Sequence, residues 1–254
     1  MKWTLLTILF TLYYSIPVLA NEQLTLLTTE HYPPLNYIKN GKPAGPAVDI
    51  VKAIQKQLKS KTPVVVYPWK RAYITTTHKK NTAIFALARS KKRENLFKWV
   101  GPIATKKYAF YALNSTNIKL TSISDANNYS IGVQFGSVSE EYLQTQYFKS
   151  VQAVSTSMQN LNKLLNKRIE LWYVDNANLV EQLKLMSIPM SKLKEVLIVK
   201  NEKLYIGFNK ETPANIINLW QQAFQELYQQ GIIKNIYQKH HLLTLYPKIQ
   251  KINN

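Results

Sequence analysis

The sequence has no cysteine. That excludes disulfides, thiolate metal sites and a lipid anchor on an N-terminal cysteine. Acidic residues are scarce, 14 against 33 lysines and arginines, and the formal charge is +19. No apolar run after residue 20 approaches the roughly 20 residues of a membrane-spanning helix. Internal repeats of 20–50 residues and low-complexity tracts are missing too. So are the Gly-x-Ser-x-Gly, His-Glu-x-x-His and P-loop patterns that carry common catalytic sites.

The first 20 residues read as an export signal. Lys2 gives a positive start, Trp3 to Tyr14 an apolar core, and Pro17-Val18-Leu19-Ala20 a cleavage site of A-x-A type. Cleavage is expected after Ala20, because the apolar stretch is short for an uncleaved anchor. The exported chain is expected to be periplasmic. It is long enough to bury a large core without covalent staples and suits two lobes. A charge this positive fits nucleic acid, an anionic surface or an acidic ligand. The lysines are scattered among apolar positions with no arginine-rich arm, so no nucleic-acid partner is expected.

Strands and helices alternate. Residues 23–29, 63–67 and 82–88 read as strands, and 48–58 and 70–78 as helices, with Val48, Val51, Ile54 and Leu58 forming an apolar stripe. Pro33 and Pro34 exclude helix and ladder from the loop Glu30–Tyr37. Residues 41–45 read as a turn, and 97–103 as a second buried segment. This order points to a parallel sheet covered by helices, with ligands at the carboxyl ends of its strands. Glu30–Tyr37, Trp69–Arg71 and Ala88–Arg93 all fall at such ends. A second unit begins near Leu113, with strands at 129–134, 151–154 and 170–174 and helices after Ser137, at 157–166 and at 176–185. Strands at 194–199 and 204–208 follow. Trp220, Phe224, Leu227 and Tyr228 then mark a buried helical stripe that ends at Gly231.

Arg93 is the most informative residue. It lies where an apolar strand gives way to a basic turn, and from there its planar fork can meet a carboxylate with two parallel hydrogen bonds. A solvated surface arginine beside Lys91 and Lys92 is the plainer alternative.

Several motifs together resemble the family 3 periplasmic solute-binding proteins of polar amino-acid ABC transporters. They are Glu30-x-Tyr32-Pro33-Pro34, Gly45 to Ile50, Pro68-Trp69-x-Arg71, Arg89-x-x-x-Arg93-Glu94 with Phe97 to Pro102, Ile131-Gly132-Val133-x-x-Gly136, Asp175 after a strand, and Leu227 to Gly231. The resemblance implies an α/β, two-lobed periplasmic binding protein fold of type II. Each lobe is a mostly parallel sheet flanked by helices, and two hinge strands join the lobes. Lobe one would take residues 22–111 and 205–250 and lobe two residues 112–204, with crossings near 112–115 and 201–204. A solute would bind between the lobes and close them.

The resemblance also gives the residues roles. Arg93 would pair with the solute carboxylate, and backbone N–H groups at Ser137 and Val138 would meet the same anion. Asp175 would take an ammonium. Tyr32 and Trp69 would form aromatic walls. A fixed cation, a fixed anion and an apolar wall are what a zwitterion leaving water needs. Where amino-acid binders carry Ser or Thr, this chain has Ala86 and Ala88. Arg89 and Arg71 either make the pocket cationic, which favours an acidic or dicarboxylate-like ligand, or pair structurally with Glu94 or Asp49. Glu30 is either a ligand group or a loop residue bonded to nearby N–H groups.

His31, His78, His240 and His241 lack metal-ligand spacing, so neither a metal nor another cofactor is expected. The function implied is capture of a small polar solute, an amino acid or a related carboxylate, for an inner-membrane ABC permease, by a monomer without catalysis. Two alternatives stand beside it. One is a cyclohexadienyl dehydratase-like enzyme using Glu30 or Asp175 as acid or base. The other is a ligand sensor without transport.

Overall fold

The structure is a computed structural model that describes residues 24–249. The expected export signal lies outside the described residues. In chain order the first elements are β1 (Leu26–Thr29), β2 (Tyr37–Lys39), β3 (Lys42–Ala44), α1 (Pro46–Gln57), β4 (Val64–Val66), α2 (Trp69–His78) and β5 (Thr82–Ala88). A long strand, β6 (Phe97–Leu113), leads to β7 (Ile131–Gln134), α3 (Val138–Thr145), β8 (Val151–Val154), α4 (Ser157–Leu165), β9 (Leu171–Asp175) and α5 (Asn176–Leu185). A second long strand, β10 (Leu193–Asn209), returns to α6 (Ala214–Gln229) and α7 (Ile232–Lys239).

Eight strands form one continuous sheet in the order β4-β1-β5-β10-β6-β9-β7-β8. Each end is parallel: β4, β1 and β5 at one, and β9, β7 and β8 at the other. The centre is antiparallel, because β10 pairs with β5 and β6, and β6 with β9. The sheet is therefore mixed. The type II two-lobed fold is present, with two long strands shared by both halves.

Those strands are 17 residues each. The sequence suggested shorter pieces, because Lys106-Lys107 and the polar run Lys200 to Lys203 look like breaks in an apolar strand. The ladder nevertheless runs from Leu193 opposite Leu113 to Asn209 opposite Phe97. Partners change along it: β9 pairs with Tyr108–Tyr111, and β5 pairs with Leu204–Phe208. Between them Thr105, Lys106 and Lys107 face Lys203, Glu202 and Asn201, with no third strand on that stretch. These three pairs are the neck of the sheet.

Local chemistry explains the flanking elements. β5, Thr-Ala-Ile-Phe-Ala-Leu-Ala, is buried along nearly its whole length, as a strand covered on both faces must be. β2 and β3 form a hairpin that replaces the simple turn expected at 41–45. Its tip is Asn40-Gly41, with φ of 51° and 72°, the two positive values a type I′ turn needs. α1 starts at Pro46, two residues earlier than its apolar stripe suggested. Gly45 precedes it with φ of 110°, where any Cβ would collide with the Leu35 carbonyl.

One core gathers Leu27, Ile50, Phe85, Phe208, Phe224 and Tyr237. The other half has a cluster on each face of its sheet. Phe110 and Tyr173 serve one, and their neighbours Tyr111 and Trp172 the other, as strand alternation requires. Fully burying a side chain of the Phe class contributes roughly 1.5–3 kcal/mol.

Tyr237 ties α7 to the long strand: it is fully buried, and its hydroxyl donates to the Ile103 carbonyl at 2.7 Å. Tyr237→Phe is expected to lower stability by roughly 1–3 kcal/mol in urea unfolding. No change would show that this hydrogen bond contributes nothing net.

Candidate functional site

The neck lies at the floor of a cleft with two adjoining halves. One, about 310 Å3, is lined by Glu30, Tyr32, Trp69, Arg93, Lys106 and Glu202 among others. The other, about 190 Å3, includes Ser137, Ser157 and Asp175. Tyr32, Lys106 and Tyr108 line both. Residues from the β1 and β5 ends thus face residues from the β7 and β9 ends across the two long strands.

On the first wall, β5 reaches the cleft with a bulge. Ile206 pairs with Phe85 and Tyr205 with Leu87, which leaves Ala86 as the extra residue. Ala86 has φ of 58°, a left-handed conformation that costs a non-glycine residue on the order of 1–3 kcal/mol. Ala86 and Ala88 both line the cavity, and their small side chains leave it open. The chain then turns back, with the Arg93 N–H donating to Ser90 O at 2.9 Å. Arg93 Nη1 donates to Ala88 O at 3.1 Å, and the guanidinium lies 5.1 Å from the Trp69 ring and 5.5 Å from the Tyr73 ring. That single hydrogen bond uses one of five guanidinium donors. The fork is positioned by backbone and aromatics, and most of its donors have no hydrogen-bond partner among the described residues.

Arg89 and Arg71, whose roles the sequence left open, do not line the cleft. Arg89 forms a two-pronged pair with Glu94, Nε to Oε2 at 2.8 Å and Nη2 to Oε1 at 2.5 Å, beside the rings of Trp99 and Tyr205. This hydrogen bonding raises the Arg89 pKa and lowers that of Glu94. Arg71 is exposed on α2 and stacks over Tyr67 at 4.0 Å. Asp49 bonds His240 Nε2 at 2.8 Å rather than either arginine.

On the opposite wall, Asp175 ends β9 and caps α5. Its Oδ1 accepts from the N–H groups of Ala177 and Asn178, each at 3.1 Å. Ser137 caps α3 by accepting from Glu140 N at 3.2 Å, and its own N–H is donated to Gln134 O at 3.3 Å. Val138 is the first residue of α3. The Glu140 carboxylate accepts from Gly136 N at 2.6 Å, so part of this helix start already carries an internal anion. Beside it, Ser157 Oγ donates to Gln134 Oε1 at 2.7 Å and accepts from Asn178 Nδ2 at 2.8 Å.

The cleft also contains groups that the sequence reading missed: Lys106, Tyr108 and Glu202. Lys106 stands on the neck with its side chain 11% exposed and its ammonium 3.6 Å from Glu202 Oε2. Burial works against its charge, yet Asp175 and the phenol oxygens of Tyr32 and Tyr108 outweigh that and hold its pKa above the ordinary lysine value. Burial likewise raises the Tyr32 and Tyr108 hydroxyls. The available signal was alternation: Ala104, Lys106 and Tyr108 share one face of β6. A lysine between buried neighbours on such a face is a candidate for a purpose other than solubility.

A separate hollow of about 560 Å3 lies between the Pro33-Pro34 loop, α5 and His240–Leu242, and it contains neither Arg93 nor Asp175. Among the described residues, no three His, Asp or Glu side chains gather as a metal site. No helix of the described residues is long and apolar enough to cross a membrane.

The sequence profile of bacterial extracellular solute-binding proteins, family 3, matches residues 24–242. The chain belongs to this family. Several solved structures share its fold at low identity. The unliganded, open L-cystine solute receptor of Neisseria gonorrhoeae is 20% identical, with a TM-score of 0.75 over 90% of this chain and 97% of that one. Substrate-binding domain 2 of GlnP from Lactococcus lactis is 15% identical, with a TM-score of 0.69 over 87% and 96%. A histidine kinase sensor domain similar to periplasmic binding proteins is 17% identical, with a TM-score of 0.65 over 89% and 99%. At these identities the likeness establishes the fold alone. No curated protein sequence matches this family 3 member.

Burial raises the Glu30 pKa above 4.5, opposed by the charges of Lys106 and then Arg93. Between 4.5 and the raised value the folded protein binds more protons than the unfolded chain, so this group makes stability fall as pH rises. Glu30→Gln removes that loss. It is expected to unfold at higher urea than the wild type at pH 7, with the gap closing below pH 4.5. A gap that widens in acid would contradict the direction of the shift.

Proposed function

We propose that this protein is a periplasmic binding protein that captures a small carboxylate-bearing solute, of the amino-acid class, in the interlobe cleft and delivers it to an ABC-type permease. The observation that carries the reading is Arg93: a guanidinium fixed by Ala88 O and two aromatic rings, facing the cavity with most of its donors uncommitted. In this reading Arg93 takes the carboxylate and Asp175 the ammonium. Tyr32 and Trp69 form the walls, and the backbone at Val138 adds a donor from the second lobe, while the Ser137 N–H, which the sequence also offered, is taken by Gln134 O. Glu30 contributes a polar contact, while Arg89 and Arg71 stay outside and support the Arg93 turn and α2. The names of relatives, an L-cystine receptor and a GlnP substrate-binding domain, support the amino-acid class. The family's extracellular character supports export by cleavage after Ala20.

The lobes are proposed to divide at the neck, near 105–107 on β6 and 201–203 on β10. The first crossing then falls before residues 112–115, because Tyr108–Tyr111 already pair with β9. Closing the lobes about this neck would bring Asp175 and Ser137 toward Arg93.

One observation favours a second reading, an enzyme on the same scaffold. Glu30 is a cleft carboxyl whose pKa burial raises, which suits a proton donor. A sensor without a transporter is a third, supported by the likeness to a kinase sensor domain.

Thermal melting with a panel of amino acids and dicarboxylates tests the binding reading, because a ligand of the folded state raises the midpoint. The cognate solute should raise it by several degrees at about 100 times its Kd, equivalent to about 2.7 kcal/mol. Arg93→Ala should abolish the rise while leaving the unliganded midpoint nearly unchanged. A rise that survives Arg93→Ala removes Arg93 from the site. Turnover of a cleft ligand, lost in Glu30→Gln, would favour the enzyme instead.

A further inference from the structure

Charge is divided unequally between the two halves of the sheet. Between Asp49 and Glu94 the chain has 12 lysines and arginines and no acidic residue. Residues 108–200, beyond the neck, have 9 such cations against 7 acids. The acid-free stretch builds one flank of the first half, from α1 through β4 and α2 to β5. β4 is the end strand of the sheet. The helices cover opposite faces beside it: Ile50 of α1 packs in the cluster of Phe85, and Ala72 of α2 in that of Ile84.

Lys52 and Lys56 lie one turn apart on α1, and Lys59 follows its end. Lys70 and Arg71 stand in the first turn of α2, and Lys79 caps its last. All six are exposed, and none is within ion-pair distance of a carboxylate among the described residues. Helix-end preference explains Lys56 and Lys79, which lie near terminal carbonyls. It opposes Lys70 and Arg71, because a helix start favours acids. Solubility does not require the bias either, since the second half mixes both signs. So many like charges on one flank repel one another, and an anionic surface would relieve that repulsion.

The form of the patch indicates the partner. Its six cations are spread over two helices and line none of the cavities described above. A nucleic-acid strand is held in a groove with stacking aromatics, and a small anion in a pocket. Hydrated lysine ammoniums act as point charges and need no fixed bidentate geometry, which suits mobile lipid phosphates. Ile74, between Lys70 and His78 on the same side of α2, is 46% exposed and is the one large apolar side chain exposed there. Attraction is therefore electrostatic, without deep insertion.

We propose that this flank of the first lobe adsorbs the exported protein onto anionic phospholipid at a membrane surface. Adsorption would hold the protein in the layer where a membrane-embedded permease lies, while the cleft stays open to solute. The proposal does not depend on the role of Arg93.

The experiment is co-sedimentation of residues 21–254 with phosphatidylcholine vesicles, with and without phosphatidylglycerol. One variant combines Lys52→Gln, Lys56→Gln, Lys70→Gln and Lys79→Gln. A control of equal charge combines Lys119→Gln, Lys149→Gln, Lys167→Gln and Lys192→Gln in the second half. The wild type should bind only the phosphatidylglycerol vesicles, and added salt should release it. The flank variant should bind at least about tenfold more weakly, and the control nearly as the wild type does. No binding by the wild type, binding to phosphatidylcholine alone, or equal loss in both variants overturns the proposal. Displacement of the wild type from vesicles by a small excess of double-stranded DNA would make nucleic acid the partner and overturn it too. If melting shows that the flank variant does not fold, its two halves, Lys52→Gln with Lys56→Gln and Lys70→Gln with Lys79→Gln, decide in its place.

Discussion

Three residue pairs hold the two halves of the sheet together. At the neck, β6 and β10 have only each other as strand partners. A two-stranded ribbon is weak alone, and here it survives because the same strands continue into full sheets on either side. The arrangement also decides which side chains face the cleft. Strand alternation sends Ala104, Lys106 and Tyr108 to one face, and Glu202 lies opposite Lys106 on it. The link between the lobes is thus also the floor of the site, so a substitution in the neck would affect the chemistry of the cleft and the freedom of the lobes together.

Charge around the cleft is arranged in local pairs. Arg89 is matched by Glu94, Glu202 by Lys200, Asp49 by His240, and Asp175 by the start of α5. An exposed, solvent-screened pair such as Arg89–Glu94 adds little to stability, so its value lies in orientation. It keeps Arg89 beside Trp99 and Tyr205, away from the cavity, while Arg93 points inward four residues later. A net charge of +19 says little about the site itself, because most of the lysines are on the outside. What matters is the small number of cations that the fold brings into the cleft.

Much of the fold was legible because its signals are local. The strands at 82–88 and 151–154, the cap at Ser137 and the break at Gly231 follow from periodicity and from residues with one conformational preference. The long central strands were not legible. Lys106-Lys107 and the run around Lys200 look like a break, and only pairing across nearly a hundred residues turns them into a ladder. The site divides in the same way. Arg93 was found from its place at a strand end and Asp175 from the family resemblance, and both line the cleft. The partners of Arg89 and Arg71 depend on tertiary contacts, and Lys106 was hidden by its ordinary appearance among many lysines.

Asn176 follows Asp175 and is 1% exposed. Its Oδ1 accepts from the Lys107 N–H of the neck at 2.9 Å, and its Nδ2 donates to the Thr244 carbonyl of the C-terminal segment at 2.9 Å. One amide side chain therefore fastens the root of α5 to both the neck and the opposite lobe. If the second lobe swings about the neck, residues beside this tether would move least. Asp175, one residue away, would sweep a short arc, and the α3 start at Ser137 a long one. The jaws would then approach a solute unequally, with the carboxylate of Asp175 nearly in place before the helix end arrives.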